Sequence, residues 1–386
     1  MLNRDKVAKE IESLAEKIFL SQQQTMLVSA SMWHDMVNHP LFALRIATVR
    51  ESFSLARWQG NLTDTFQVQQ SLSEYTVLSV DGSQIYPDRH IAGMNCFLLN
   101  AGGCLLQYGS QSKATLFSEP QVCIPEEVVK NSDDVAFSVD LVDLKREALE
   151  LEVAFQKSLQ VTEKSTAPFV CLLDGSLIFW HLEAKPPEVR DLFLKTYMQQ
   201  LNQFYEHKIV VASYVSLPKS KELVHLIKIG TCGAARTDTL GCDAKYKDFP
   251  CESIDTLIDS QMLRQALAPG VRSTTLFSNA KIVAHYPDHL KPCFFYLNVG
   301  KEIVRIEFPR WVLEQENAVE LISSVCLDQA AKGYGYPVAL AEAHEQAVVK
   351  GPDRDFFYHL LCKIGIAQKH QVVVSQKSLK KRGIGI

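Results

Sequence analysis

Apolar residues recur along this chain with two periods, and the switches between them outline its elements. Residues 5–58 carry the helical period: Val7, Ile11, Leu14 and Ile18 share one face, and Phe42, Ile46, Val49 and Phe53 continue it. A strand then runs to Asp81, followed by apolar runs at 91–100 and 104–108. Ala101-Gly102-Gly103 between them reads as a hairpin turn. A longer loop through Pro120 and Pro125 leads to a helix over 139–159, striped by Leu141, Leu144, Ala148, Leu151, Phe155 and Leu159. A strand at Phe169–Asp174, a helix over 187–207 opening on proline, and a buried strand over 208–214 follow.

That order is a three-strand meander, then two strands joined through crossover helices. Right-handed crossovers set the fourth strand beside the first. This is the order of a ribonuclease-H-like fold, so the expected class is α/β: a mixed sheet with flanking helices and additional N- and C-terminal elements. Residues 216–270 are polar, with a helix expected over 253–268. A second hairpin pairs 294–299 with 303–308, turning at Asn298-Val299-Gly300-Lys301, and helices are expected over 314–332, 338–350 and 353–366. No long repeat or linker interrupts the pattern. It divides into an N-terminal helical region (1–60), one elaborated domain (61–370, with 215–335 an elaboration within it) and a basic tail (371–386).

Two strands end alike, at Asp81-Gly82-Ser83 and at Asp174-Gly175-Ser176, each after an apolar lead-in. As neighbours in one sheet they would present both carboxylates at one edge, a place for a hard divalent cation. Asp, Gly and Ser are also the commonest turn residues, so each copy alone is equally a strand-ending turn, with glycine letting the chain bend sharply. The helix over 139–159 offers a third carboxylate from Glu147, Glu150 or Glu152, and the helical wheel leaves the choice open. His344, on an alanine-rich helix, could ligate a metal or move a proton, or could be a core histidine. Lys219 follows the last strand and could meet a phosphate, or stand as a plain loop lysine.

Composition narrows the setting. The chain has 386 residues, is 47% hydrophobic and 22% charged, and carries a net charge of −4. That balance excludes a protein whose whole surface grips nucleic acid, but not one with a local basic channel. No apolar run approaches the ~20 residues that span a bilayer. The first residues lead into a charged amphipathic stretch, not a signal-peptide core, and the ten cysteines are scattered singly, so a reducing cytoplasm is expected. Cys232, Cys242 and Cys251 lie in a polar stretch but match no zinc spacing. The densest basic cluster, Lys377–Arg382, reads as a solvated end.

Taken in order, Asp81-Gly82-Ser83, Leu173-Asp174-Gly175-Ser176-Leu177, Lys219-Ser220, Arg305-Ile306-Glu307-Phe308-Pro309 and Gly335-Tyr336-Pro337 followed by Ala343-His344 resemble the NurA nucleases. The resemblance runs from about residue 76 to 350, and Ile178–Glu183 looks like a bacterial branch. It implies a manganese- or magnesium-dependent nuclease, with two ions, that degrades DNA from 5′ ends and cuts single strands. It also implies a homodimer that docks on a hexameric HerA-type ATPase in DNA end resection. Carried over by motif, Asp81, Glu150, Asp174 and His344 would be the metal-site and catalytic residues. Glu150 is chosen because Arg146-x-x-x-Glu150-x-x-x-Ala154 fits the family pattern. Two rival readings stand: an interaction subunit that regulates an ATPase without cutting, and a phosphatase of the haloacid-dehalogenase type. The latter wants Asp-x-Asp, and here serine stands at 83 and 176.

Overall fold

A computed structural model describes residues 2–18, 23–39, 42–48, 54–69, 72–87, 91–92, 96–125, 138–231, 254–369 and 373–374. Its helices are α1 (Arg4–Ile18), α2 (Gln23–Val37), α3 (Phe42–Thr48), α4 (Asp140–Thr162), α5 (Pro187–Glu206), α6 (Glu222–Thr231), α7 (Asp259–Met262), α8 (Ala318–Lys332), α9 (Val338–Ala347) and α10 (Gly351–Ala367). Its strands are β1 (Ala56–Trp58), β2 (Thr65–Gln67), β3 (Tyr75–Ile85), β4 (Ile91–Ala92), β5 (Phe97–Tyr108), β6 (Lys113–Cys123), β7 (Phe169–Asp174), β8 (Val211–Val215), β9 (Val271–Ser273), β10 (Leu276–Ser278), β11 (Pro292–Asn298), β12 (Ile303–Pro309) and β13 (Val373–Val374). Among the described residues no helix is long and apolar enough to cross a membrane. The cysteine trio and the basic cluster of the tail lie outside the described residues.

Most strands join one eleven-stranded mixed sheet, whose main path is β1-β10-β11-β12-β8-β7-β3-β5-β6. β3, β7 and β8 run parallel, so β7 lies directly beside β3, as crossover handedness requires. β5 and β6 complete the meander antiparallel to β3. Parallel strands covered on both faces read as unbroken apolar runs, and β7 is buried from Phe169 through Leu173. Leu141, Leu144, Ala148, Leu151 and Phe155 bury the stripe of α4 against this sheet. A second cluster, around Phe42, Ile46, Leu223, Ile227 and Phe294, packs α3 and α6 against the far end of the same sheet.

Several boundaries differ from the sequence pattern. Ala101-Gly102-Gly103 is not a turn: β5 runs straight through it, and the chain reverses at 109–112 to form β6, where a loop was expected. These glycines serve close approach. A Cβ on Gly102 would collide with the backbone of Ala347 in α9, and one on Gly103 with the ring of Phe117. The chain at 56–58 is a strand, pairing with β10. The expected helix over 253–268 is reduced to α7 and a 3₁₀ turn at Leu263–Gln265, and α8 starts at Ala318 after a 3₁₀ turn at Arg310–Glu314. On α1 the expected stripe is not buried, since Ile11 and Leu14 are exposed.

Gly102→Ala should therefore destabilise the fold by about 1–3 kcal/mol, because the helix backbone and not a flexible side chain must yield. Chemical denaturation of the purified variant measures it.

Candidate active site

The chemistry gathers where β3 passes between two helices. Along β3 the odd-numbered side chains turn toward the C-terminal helices. Asp81 Oδ2 meets His344 Nδ1 on α9 at 2.7 Å, and the Ser83 hydroxyl donates to the carbonyl of Ala347. The even-numbered positions face α4. Gln84 Nε2 donates to Asp143 Oδ1 at 3.0 Å, and a Cβ on Gly82 would run into the Glu150 carboxylate and Arg146 Cγ. This alternation is the ordinary period of a strand. It sets β3 against His344 on one face and Glu150 on the other.

The two Asp-Gly-Ser copies thus differ in structure. The second ends its strand as expected, with Gly175 at φ +87° turning the chain. The first lies inside β3 and does not turn; Gly82 is there so that α4 can seat its side chains against the strand. The parallel ladder stops at Leu78–Cys171, and extending its register by three residues sets Asp81 level with Asp174. Asp174 accepts a hydrogen bond from the Tyr336 hydroxyl. Burial raises its pKa, with the Asp81 charge adding to the rise and the tyrosine opposing it.

His344 is not a core residue: about 64% of its side chain is exposed. With Nδ1 facing the Asp81 carboxylate, the tautomer that donates from Nδ1 leaves Nε2 free as an acceptor. Among the three helix glutamates, Glu150 is the one against Gly82. Glu147 faces His181 Nε2 at 3.0 Å, and Glu152 accepts from Gln156 at 3.3 Å. Glu150 pairs with Arg146 one helical turn earlier. Burial, with help from the Asp81 and Glu147 charges, pushes its pKa up to about 8 against the pull of Arg146.

Asp81, Asp174 and His344 therefore share one side of β3, and Glu150 reaches the strand from the other, behind Gly82. Among the described residues, no three His, Cys, Asp or Glu side chains are posed closely enough to enclose a metal ion. The donor set nonetheless suits one: hard carboxylate oxygens and an imidazole, with a carboxylate held in a cradle that any side chain at position 82 would fill.

Lys219 is exposed on the segment after β8. It lines a cavity of about 480 Å³ together with Trp180, Arg305, Glu307 and Ser176, a residue of the turn that follows Asp174. Behind that turn lies a buried ion network. Arg305 Nε bonds Glu307 Oε1 at 2.7 Å, its Nη1 bonds Glu222, and its guanidinium lies 3.5 Å from the centre of the Phe294 ring. The other oxygen of Glu307 accepts from Ser176 Oγ at 2.8 Å and Leu177 N at 2.7 Å, fixing the chain just beyond Asp174. The sequence pattern of Arg305-Ile306-Glu307 does not by itself reveal this role. A charged pair at alternate positions of an otherwise apolar strand was the available signal. Nor does the sequence pattern reveal the contacts of Tyr336 with Asp174 and of Arg146 with Glu150.

No match was found among curated proteins. Among solved structures, the crystal structure of the NurA nuclease from Sulfolobus solfataricus is similar over 79% of this chain and 88% of that one, at 15% identity and a TM-score of 0.48. A crystal structure of NurA with manganese is similar over 89% of this chain and 96% of that one, at 10% identity and a TM-score of 0.37. The family model described as the NurA domain matches residues 75–349, a span that holds every candidate residue described above. The chain belongs to the NurA domain family.

Proposed function

We propose that this protein is a metal-dependent DNA nuclease that hydrolyses phosphodiester bonds at the site around β3. The observation that carries the reading is the convergence of Asp81, Asp174 and His344 on one side of that strand, with Glu150 entering behind Gly82. Asp81, Glu150 and Asp174 would hold the divalent cations, manganese or magnesium, with His344 completing the set. Bound there, two such ions supply a nucleophilic water and neutralise the charge that builds on the scissile phosphate.

The protein's own residues do the rest. Asp81 orients the His344 ring; where His344 does not ligate a metal, its Nε2 would instead take a proton from the attacking water and pass it on to the leaving oxygen. The Tyr336 hydroxyl fixes the Asp174 carboxylate, and Glu307 fixes the turn after it. Lys219, at the mouth of the neighbouring cavity, supplies a cation for a flanking phosphate of the DNA strand. In this reading the enzyme acts from 5′ ends and on single strands, as a cytoplasmic homodimer working with a hexameric HerA-type ATPase in end resection. The net charge of −4 agrees with a nuclease that leaves much of the DNA grip to a partner.

A labelled linear DNA incubated with the protein should be degraded with manganese and left intact in chelator. The Asp81→Ala, Asp174→Ala double variant should lose about 10²-fold or more in rate while keeping its melting temperature within a few degrees. Full activity in that variant ends the proposal. Co-purification with a hexameric ATPase but no metal-dependent cutting by the wild type would favour the regulatory-subunit reading instead.

A pH-dependence follows from Glu150. Its folded pKa, near 8, exceeds the ordinary value of 4.5, so the fold binds this proton more tightly than the unfolded chain does. The stability it contributes is full below about pH 4.5 and is lost as pH rises through about 8. Metal-free protein should accordingly melt at lower temperature at pH 9 than at pH 6. Glu150→Gln should flatten that difference, as a thermal scan across the range will show.

A further inference from the structure

Arg146 has no part in the reading above, yet it stands in the middle of the site's charge. It lies one turn before Glu150 on α4 and forms an ion pair with it, with about 26% of the Arg146 side chain and 18% of the Glu150 side chain exposed. Its Cγ and the Glu150 carboxylate fill the same space beside Gly82, the position on β3 where no Cβ could fit. Three more carboxylates surround it: Asp81, Asp143 and Glu147. Burial works against the guanidinium's charge, but these four acids together hold its pKa above the ordinary value.

Each of those acids has a further partner of its own. Asp143 accepts from Tyr86 Oη at 2.6 Å and from Gln84, Glu147 faces His181, and Asp81 faces His344. Glu150 has no hydrogen bond among the described residues except that from Arg146. The pair is therefore the weak seam of the cluster. The same carboxylate that a cation between Asp81 and Glu150 needs is held by a cation built into the chain.

We propose that Arg146 is an internal counter-ion that competes with the divalent cation for Glu150. It holds the site together when metal is absent and sets the metal concentration at which the site loads. A surface pair at this spacing is ordinarily weak. This one is half-enclosed between helix and strand, and a cation at Glu150 would share one carboxylate with the guanidinium, so that each weakens the other's hold. Arg146 is thus a positioning residue. It tunes the occupancy of the site and need not touch the reacting atoms. This inference rests on the metal-site reading given above.

The test is calorimetric titration of Mn²⁺ into metal-free full-length protein, with melting temperatures measured in parallel. Titrated at about pH 8.5, above the Glu150 pKa of about 8, Arg146→Gln should bind Mn²⁺ about ten-fold more tightly than wild type, because the competitor is gone and the cluster is one charge more negative; ten-fold corresponds to about 1.4 kcal/mol. Its metal-free form should melt lower than wild type, and the gap should close on loading. Arg146→Lys keeps the charge and should stay within about three-fold of wild type, which covers the case in which Arg146→Gln does not fold. An unchanged or weaker affinity in Arg146→Gln, with the melting gap persisting in metal, overturns the inference and leaves Arg146 a structural residue. The Asp81→Asn, Asp174→Asn variant separates the two ideas. If it retains wild-type Mn²⁺ affinity, the metal-site reading itself falls.

Discussion

The absence of a side chain at Gly82 is the constraint on which the site depends. A helix ordinarily packs on a sheet with side chains of both filling the space between. At Gly82 the strand contributes none, so Arg146 and Glu150 of α4 lie directly against the β3 backbone. One residue earlier the same strand sends Asp81 to the opposite face, where α9 approaches closely enough to bond it through His344. That second approach is possible for the same reason. Gly102, the partner of Asp81 in β5, has no Cβ to hold the α9 backbone away. Two glycines on neighbouring strands, facing opposite sides, bring two helices into reach of one short stretch of backbone.

Parallel pairing then contributes the second aspartate. β3 and β7 share a ladder only up to Leu78 and Cys171, and both carboxylates lie beyond its end. Past the last rung the two strands are no longer paired in the ladder, and in the proposed reading this is where a carboxylate from the α4 side would meet an aspartate and a histidine from the α9 side. The raised pKa of Glu150 has its origin here too, since it is enclosed against backbone and lies near the Asp81 charge.

Much of this was legible in the sequence because it depends on periodicity. The stripe of α4, the apolar run of β7 and the crossover order are local patterns, and they place Asp81 and Asp174 on adjacent strands. Glycine was the residue that misled. In Ala101-Gly102-Gly103 and in Asp81-Gly82-Ser83 it reads as a turn, because a free backbone is its commonest use. Here it lies in extended strand, and what it permits is contact with an element far away in sequence. The helical wheel leaves the choice among Glu147, Glu150 and Glu152 open for a related reason. A helical wheel gives the polar face of α4, but which glutamate meets the site is set by where Gly82 lies on the other chain segment. The histidine shows the converse: His344 sits on an alanine-rich helix whose Ala339, Ala343 and Ala347 are buried, and the ring itself is exposed toward Asp81.

The buried network behind Asp174 explains how a site on a strand end stays in place. Strand ends fray, and a catalytic carboxylate must be held to within a fraction of an ångström. Glu307, in the body of β12, bonds the Ser176 hydroxyl and the Leu177 amide, so the turn after Asp174 is tied two strands away across β8. An uncompensated glutamate at that depth would be costly, and Arg305 compensates it while also engaging Glu222 at the start of α6. Replacing such a network by apolar side chains is often neutral for stability. Its retention here is better explained by what it positions: the turn at Ser176 on one side, and on the other the segment through Ser220 that carries Lys219. One buried guanidinium thereby couples the placement of the candidate metal-ligating aspartate to that of the candidate phosphate-binding lysine.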